Sequence, residues 1–178
     1  MLSFSGFYRL LLAGGLFVGA SMPVLAAGEK AAAEMKDATG KSLGKIEIVS
    51  TNGGALLKIK LSGLASGPHG LRFHETGKCE GNFESAGGIY NPLGATHGFL
   101  HEEGPMAGDL PNVIVPASGD VEVELLNSYV TVAKTADENL FDEDGTALVI
   151  FERPDDYGLE PDADPGPRIA CGVITQQK

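Results

Sequence analysis

The stretch 43-LGKIEIVSTNGGALLKIKLSGL-64 decides the fold. On either side of its centre, apolar residues alternate with polar ones, which is the two-residue period of a half-buried β-strand. Ile46 and Ile48 mark the first run, and Ile59 marks the second. The Asn52–Gly53 pair between the runs is typical of a two-residue hairpin turn. The stretch therefore predicts an antiparallel β-hairpin.

Further segments of β character follow along the chain, at 121–130, 146–152 and 168–175. Segment 31–37 has brief helical character, but its charged residues could equally alternate in a strand. Several short strands separated by turn residues predict an all-β protein, either a sandwich or a Greek-key barrel.

Two long stretches do not fit strands. Residues 76–112 are rich in Gly, Pro, Asn and His, and residues 153–167 are acidic and contain four prolines. Loops of this length in a compact domain are usually functional or disordered. Cys79 lies in the first loop and Cys171 lies in the strand after the second. In an exported chain an even pair of cysteines indicates a disulfide, with a free reactive thiol pair as the alternative.

The beginning of the chain has the features of a secretory signal peptide. It has one charge, at Arg9, then the apolar run 10–20, then small residues at Ala26 and Ala27. The run is shorter than the roughly 18 residues that a membrane-spanning helix needs. We expect a signal peptide over residues 1–27 and a single exported domain over residues 28–178.

The chain is strongly acidic, with 13 basic and 24 acidic residues. Arg9 is the only charged residue in the expected signal peptide, so the domain carries a formal net charge of −12. This charge argues against nucleic acid or an anionic membrane surface as a partner.

Six motifs carry a family resemblance. In chain order they are 67-GPHGLRFHETGKC-79, 86-AGGIYNP-92, 96-THG-98, 107-AGDLPNV-113, 145-GTALVIFERPDDY-157 and 168-RIACGVI-174. In their order, spacing and residues, these motifs resemble those of the copper–zinc superoxide dismutase family, over nearly the whole expected domain. The resemblance implies an eight-stranded Greek-key β-barrel with two long loops and an intrachain disulfide between Cys79 and Cys171. The segment 154-PDDY-157 resembles bacterial members of the family, which implies a periplasmic protein.

The same resemblance implies a dismantled metal centre. The family binds copper through four histidines and zinc through three histidines and an aspartate, with one histidine shared. At the copper positions only His74 is kept, and at the zinc positions only His97 and Asp109 are kept. The remaining ligand positions hold residues that are not metal ligands of this kind: Arg72, Ile89 (the shared position), Met106 and Phe151.

Residues that surround the centre in the family are better preserved. The resemblance implies that His69 braces the site, that Asp156 links ligands of the two metals, and that Arg168 attracts superoxide. His101 could join His97 and Asp109 in a mononuclear zinc site. We favour the alternative that His101 is a solvated loop residue, because metal geometry is demanding.

Two functional hypotheses follow. The first is a non-catalytic, superoxide dismutase-like binding or structural module without a resident cofactor. The second is a superoxide dismutase or metal-handling protein with a reduced or rebuilt site, for which zinc remains open. Copper is disfavoured, because redox cycling needs several nitrogen ligands and Arg72 cannot ligate. The substitutions at Ile89 and Phe151 would fill the cavity with apolar volume.

The positive charge of Arg72 leaves a choice of partners. It could pair internally, with Asp156 or Asp109 as the candidates, while Arg168 stays a solvated surface residue. Alternatively Arg72 and Arg168 could form a cationic pocket for a small anion or for an acidic group of a protein partner. We favour internal pairing. Homodimerisation remains open.

Overall fold

The computed structural model describes residues 28–134, 138–160 and 164–177. The expected signal peptide, residues 1–27, lies outside the described residues. The described chain forms nine strands and one short 3₁₀ helix, at Glu84–Ala86. The strands are β1 Lys30–Asp37, β2 Ser42–Thr51, β3 Gly54–Leu61, β4 Gly67–His69, β5 Leu71–His74, β6 Val113–Val115, β7 Val121–Asn127, β8 Ala147–Phe151 and β9 Arg168–Gln177.

All the strand pairings are antiparallel. Seven strands form one curled sheet in the order β5-β8-β9-β1-β2-β3-β7, and β4 pairs with β6. The sheet order departs from the chain order where β5 lies beside β8, β9 beside β1 and β3 beside β7, as in a Greek key. Because only Gly70 separates β4 from β5, counting them as one strand gives the expected eight. The all-β prediction is confirmed.

The hairpin predicted from the opening stretch is present. β2 and β3 pair from Gly44 with Leu61 to Thr51 with Gly54, and Asn52–Gly53 forms the turn. The alternating residues Ile46, Ile48, Leu57 and Ile59 are all buried in the main core. Segment 31–37 belongs to strand β1, so its brief helical character was misleading.

A second, smaller apolar cluster lies outside the main core and explains why all of β8 is buried. Ala147, Val149 and Phe151 point away from the main core and pack against Phe83, Ala86 and Cys171. The long loop 76–112 therefore covers the outer face of β8. The disulfide between Cys79 and Cys171 fastens this loop to β9, as predicted, and the free-thiol alternative is wrong.

No helix in the described part of the chain is long and apolar enough to cross a membrane.

Candidate metal centre

The residues at the expected ligand positions converge on β5, at the edge of the large sheet. β5 supplies Arg72 and His74, and the neighbouring strand β8 ends at Phe151. The long loop runs back along the free edge of β5 and forms isolated antiparallel bridges, Arg72 with Asp109 and His74 with Ile89. The fold thus gathers residues that are up to 79 positions apart in sequence.

Gly108 makes this close approach possible. Its N–H donates to the carbonyl of Tyr90 (2.8 Å), and its carbonyl accepts the N–H of Phe73 (2.9 Å). A Cβ at this position would stand 2.5 Å from the Phe73 oxygen and 2.8 Å from Ile89 Cγ2. Any larger residue would push the loop away from β5.

His97 and Asp109, the residues kept at zinc positions, are in direct contact. His97 Nδ1 lies 2.7 Å from Asp109 Oδ1. The other oxygen of Asp109 accepts the backbone N–H groups of Gly98 (2.8 Å) and Met106 (3.0 Å). Met106 contributes its backbone to the cluster while its side chain is half-buried. Both oxygens of the buried Asp109 carboxylate are therefore hydrogen-bonded.

Arg72 pairs internally, with an aspartate that we did not expect. Its Nε and Nη2 donate to Asp155 Oδ2 at 3.0 and 2.7 Å. Asp155 Oδ1 lies 3.2 Å from His97 Nε2, and Arg72 Nη2 lies 3.2 Å from the same nitrogen. Arg72, His97, Asp109 and Asp155 thus form one connected group, which we call the ion cluster. Arg72, Asp109 and Asp155 are buried, and His97 is partly exposed.

The prediction that Asp156 links the two halves of the site is wrong by one residue. Asp156 caps its own loop, accepting the N–H groups of Gly158 (2.9 Å) and Glu160 (2.8 Å). Asp155 occupies the linking position, because Asn112 clamps its backbone through two hydrogen bonds of 2.8 Å. The sequence offers adjacent aspartates and no signal that separates them, since Asn112 lies 43 residues away.

The ion cluster shifts the ionisation of its members. The hydrogen bond to Asp109, followed by the one to Asp155, raises the pKa of His97 to about 9, so its imidazole is protonated at neutral pH. Burial alone would raise the pKa of Asp155, but the His97 hydrogen bond and the Arg72 charge hold it well below its usual range. The ion cluster therefore places two cationic side chains, Arg72 and His97, beside two aspartates.

The copper half of the site is apolar apart from one imidazole. His74 is buried, and its Nδ1 donates to the carbonyl of Gly87 (2.9 Å). Its Nε2 has no hydrogen-bond partner among the residues that the structure describes. Burial lowers the pKa of His74 to about 4, so the ring is neutral. Phe151 stands beside it with ring centroids 5.7 Å apart, and Ile89 is half-buried nearby.

Arg168 is not the solvated surface residue that we expected. Its Nη1 donates to the carbonyl of Phe83 (2.7 Å) and its Nη2 to the carbonyl of Gly87 (2.8 Å). Its guanidinium lies 6.0 Å from the Phe151 ring, and that of Arg72 lies 5.0 Å from the same ring. Arg168 therefore holds the disulfide end of the long loop against β9.

The other two histidines lie apart from the ion cluster. His69 is buried, with its ring nitrogens 2.9 Å from the carbonyl oxygens of Phe151 and Ala65, a bracing position between β4 and the end of β8. His101 is exposed, and its Nδ1 accepts the N–H of Glu103 (3.1 Å). It belongs to no group of potential metal ligands in the described ranges.

The donor atoms fit the family's two metals to different degrees. Within the described residues, one group could hold a metal: His97, Asp109 and Asp155, with a donor atom from each within 4.8 Å of the others. Nitrogen and carboxylate donors suit zinc, but the Arg72 guanidinium already bonds Asp155 and would repel a cation. The copper half does not fit, because His74 belongs to no group of potential metal ligands within the described residues.

Comparison with known proteins agrees with the fold and its motifs. The family model described as copper/zinc superoxide dismutase matches residues 42–174. A Cu-Zn superoxide dismutase of Aquifex aeolicus is 46% identical over 147 residues, which is 82% of this chain and 86% of the relative. The superoxide dismutase-like protein YojM of Bacillus subtilis is 41% identical over 138 residues, 76% of this chain and 70% of the relative.

Solved structures give the same result. The crystal structure of an SOD-like protein from Bacillus subtilis has a TM-score of 0.75 and 38% identity, and covers 83% of this chain and 99% of that one. The Cu/Zn superoxide dismutase from Brucella abortus has a TM-score of 0.68 and 27% identity, and covers 83% of this chain and 100% of that one. This chain belongs to the copper/zinc superoxide dismutase family. The prediction of family and fold is confirmed.

Proposed function

We propose that this protein is an exported, non-catalytic member of the family, in which the ion cluster has replaced the metal centre. The observation that carries the proposal is the position of Arg72. Its permanently charged guanidinium lies inside the group formed by His97, Asp109 and Asp155 and donates twice to Asp155. It supplies, as part of the chain, positive charge that a bound dication supplies elsewhere in the family.

The energetics of burial support this proposal. Two buried carboxylates without counter-charge would cost several kcal/mol each. Here both are matched, because Arg72 and protonated His97 contribute two positive charges. A divalent cation would have to displace the guanidinium from Asp155 and the proton from His97 before it could bind. The interactions within the ion cluster therefore disfavour metal binding.

The copper half supports the proposal separately. Superoxide disproportionation in this family depends on a metal that is reduced and reoxidised in alternation, within a set of imidazole ligands. Here Phe151 and Ile89 supply apolar volume, and His74 is a single imidazole with a strongly lowered pKa. Filling the space with apolar side chains avoids a polar cavity with unpaired groups.

Export and a periplasmic location are part of the proposal. They rest on the signal-peptide pattern of residues 1–27 and on the disulfide, which is typical of oxidising compartments.

A second candidate function is a zinc-binding or dismutase protein with a rebuilt site. The grouping of His97, Asp109 and Asp155 favours it, as do relatives that are named superoxide dismutase. It requires that zinc displace Arg72 from Asp155.

One experiment separates the two candidates. The protein is purified from the periplasmic fraction, and its copper and zinc are quantified by mass spectrometry before and after incubation with both metals. Superoxide disproportionation is measured on the same samples. We expect substoichiometric copper and zinc and no turnover above the buffer rate. Stoichiometric copper with turnover would refute the non-catalytic proposal, and stoichiometric zinc would establish the second candidate.

The matched variant is Arg72→Met, which removes the guanidinium and keeps an extended side chain. Without the competing cation, His97, Asp109 and Asp155 remain as potential ligands. We expect this variant to bind zinc under conditions in which the parent does not. Equal zinc binding by the two proteins would show that Arg72 does not exclude the metal.

A further inference from the structure

We propose that an exposed apolar surface beside the ion cluster docks a cationic, amphipathic segment of a partner protein. The surface consists of Phe99, Leu100 and Leu159, and we call it the apolar ledge. The inference rests on the proposed non-catalytic function, since it identifies the kind of partner that such a binding module would hold.

The apolar ledge gathers large apolar side chains on two adjacent loops. Phe99 is 41% exposed, Leu100 is 61% exposed and Leu159 is 69% exposed. The loops touch directly, because the N–H of Leu100 donates to the carbonyl of Tyr157 at 3.0 Å and the ring of Phe99 meets the Tyr157 ring edge-on at 5.6 Å. Single exposed leucines are ordinary on protein surfaces, whereas a group on a shared support indicates a contact surface.

The ion cluster fixes the backbone that carries the apolar ledge. Asp109 accepts the N–H of Gly98, next to Phe99 (2.8 Å), and Asp155 accepts the N–H of Tyr157 (2.8 Å). Gly98 has φ +109°, and a side chain there would collide with the Tyr157 carbonyl. The two loops are therefore held together before any partner binds, which lowers the ordering cost of association.

The charge around the apolar ledge defines the partner's chemistry. Residues 79–112 and 154–167 contain no lysine or arginine. Glu102, Glu103 and Glu160 are exposed, and none of them forms an ion pair within the described ranges.

Three glutamates of the sheet surface differ in this respect. Glu47, Glu122 and Glu124 are paired with lysines at 2.6, 3.6 and 3.4 Å. Glu102, Glu103 and Glu160 thus lack the lysine partners that these three sheet glutamates have in the described part of the chain. A segment with both apolar and basic side chains would pack on the apolar ledge and pair with the glutamates around it.

The same charges disfavour other occupants. A second copy would bring its own acidic loops against these carboxylates, on a chain of net charge −11. Like charges in such a contact are repulsive. A cationic amphipathic segment is the occupant that the charges favour.

The test uses the purified protein and two synthetic peptides of equal length and charge, one alternating lysine with leucine and one alternating lysine with serine. Binding is measured by titration calorimetry, and NMR shift changes locate the contact. We expect the lysine–leucine peptide to bind and to perturb residues 97–103 and 157–160. Equal binding of the lysine–serine peptide, or shifts centred elsewhere, would overturn the apolar ledge as the site.

Two pairs of variants sharpen the test. The double variant Leu100→Ser, Leu159→Ser should weaken binding about tenfold or more, since it removes two anchors. The control double variant Ile114→Ser, Leu126→Ser alters side chains that are comparably exposed but lie on β6 and β7, and should change binding by less than about twofold. Equal effects of the two pairs would contradict the proposal.

Charge is tested in the same way. The triple variant Glu102→Gln, Glu103→Gln, Glu160→Gln should weaken binding more than Glu47→Gln, Glu122→Gln, Glu124→Gln, which removes the same number of charges from the sheet surface. Equal losses of affinity in the two triple variants would show that binding depends only on net charge, and would refute a defined site. A peptide that fails to bind a protein free of copper and zinc would refute the docking proposal and leave the non-catalytic function standing.

Discussion

Arg72 supplies the permanent positive charge of the ion cluster. It stands on β5, where the family resemblance places a copper ligand, and its guanidinium reaches Asp155 and His97. A buried ion pair of this kind is weak evidence for net stability, yet breaking it leaves an uncompensated charge. The effect of removing one partner therefore depends on burial, and the chain offers an exposed pair for comparison.

We expect Arg72→Met to lower the free energy of unfolding by about 3 kcal/mol, because it strands the buried Asp155 carboxylate. The matched control is Arg153→Met. Arg153 pairs with Asp164 at 2.8 Å, but the two side chains are 54% and 75% exposed. Its loss should cost less than about 1 kcal/mol. Urea unfolding of both variants measures the difference, and similar losses would contradict a buried, energetically coupled cluster.

Two histidines at the expected ligand positions should respond to pH in opposite directions. The pKa of His97 is raised to about 9 in the folded protein, so its contribution to stability is complete below its unfolded value of 6.5 and is lost as pH rises towards 9. The pKa of His74 is lowered to about 4, so stability is lost as pH falls from 6.5 towards 4. Together these two side chains place a stability maximum near pH 6.5.

Urea unfolding across pH 4–9 tests this expectation. His97→Gln should flatten the alkaline limb, and His74→Gln should flatten the acid limb, whatever each substitution does to overall stability. NMR at pH 7 should find the His97 imidazole protonated and the His74 imidazole neutral. Unchanged slopes in both variants would show that other groups control the pH dependence.

At the scale of strands and loops, the sequence predicted the alternating strands and the five-residue buried strand β8, and it missed the shorter strands. The β2–β3 hairpin could be predicted because its outer face is solvated, so polar and apolar residues alternate along both strands. Strand β5 was not predicted, because Leu71 to His74 are all buried, between the core and the covering loop, and the two-residue period disappears. β4 and β6 are only three residues long, too short for a periodic signal.

The long loop 76–112 depends on the disulfide and on Arg168 for its position. The double variant Cys79→Ala, Cys171→Ala opens a crosslink that spans 92 residues. On the chain-entropy account it should lose roughly 4–5 kcal/mol of stability. Hydrogen exchange should accelerate in residues 79–90 before the rest of the chain, while the β2–β3 hairpin keeps its protection. Uniform exchange across the chain would contradict a locally tethered loop.

At the scale of the whole molecule, the order of the motifs identified the family. The motifs did not identify a binding partner. The motifs fix the fold because glycines, the cysteine pair and core residues recur at set spacings. The family resemblance predicted ligand positions one by one, as at Ile89 and Phe151, and these assignments stay predictions. The choice of Asp155 over Asp156 required the backbone path, and the apolar ledge required knowing which loops touch.

Charge is also distributed unevenly over the molecule. Lysines pair with Glu47, Glu122 and Glu124 on the sheet surface, whereas the three glutamates beside the apolar ledge have no ion pair among the described residues. Conserving the barrel while changing the loop residues is how one fold supports different functions. On the proposed function, the loops that the family resemblance places around a metal centre present a binding surface here.

The ion cluster also bears on how the protein matures. A relative that takes up a dication exists in an empty and a loaded form, and its supply of active molecules follows the metal content of its surroundings. Arg72 is joined to the polypeptide by covalent bonds and cannot dissociate, be chelated or be outcompeted during assembly. On the proposed function, every chain that folds and closes its disulfide is already complete, so the yield of working protein should be the same in metal-starved and metal-replete cells.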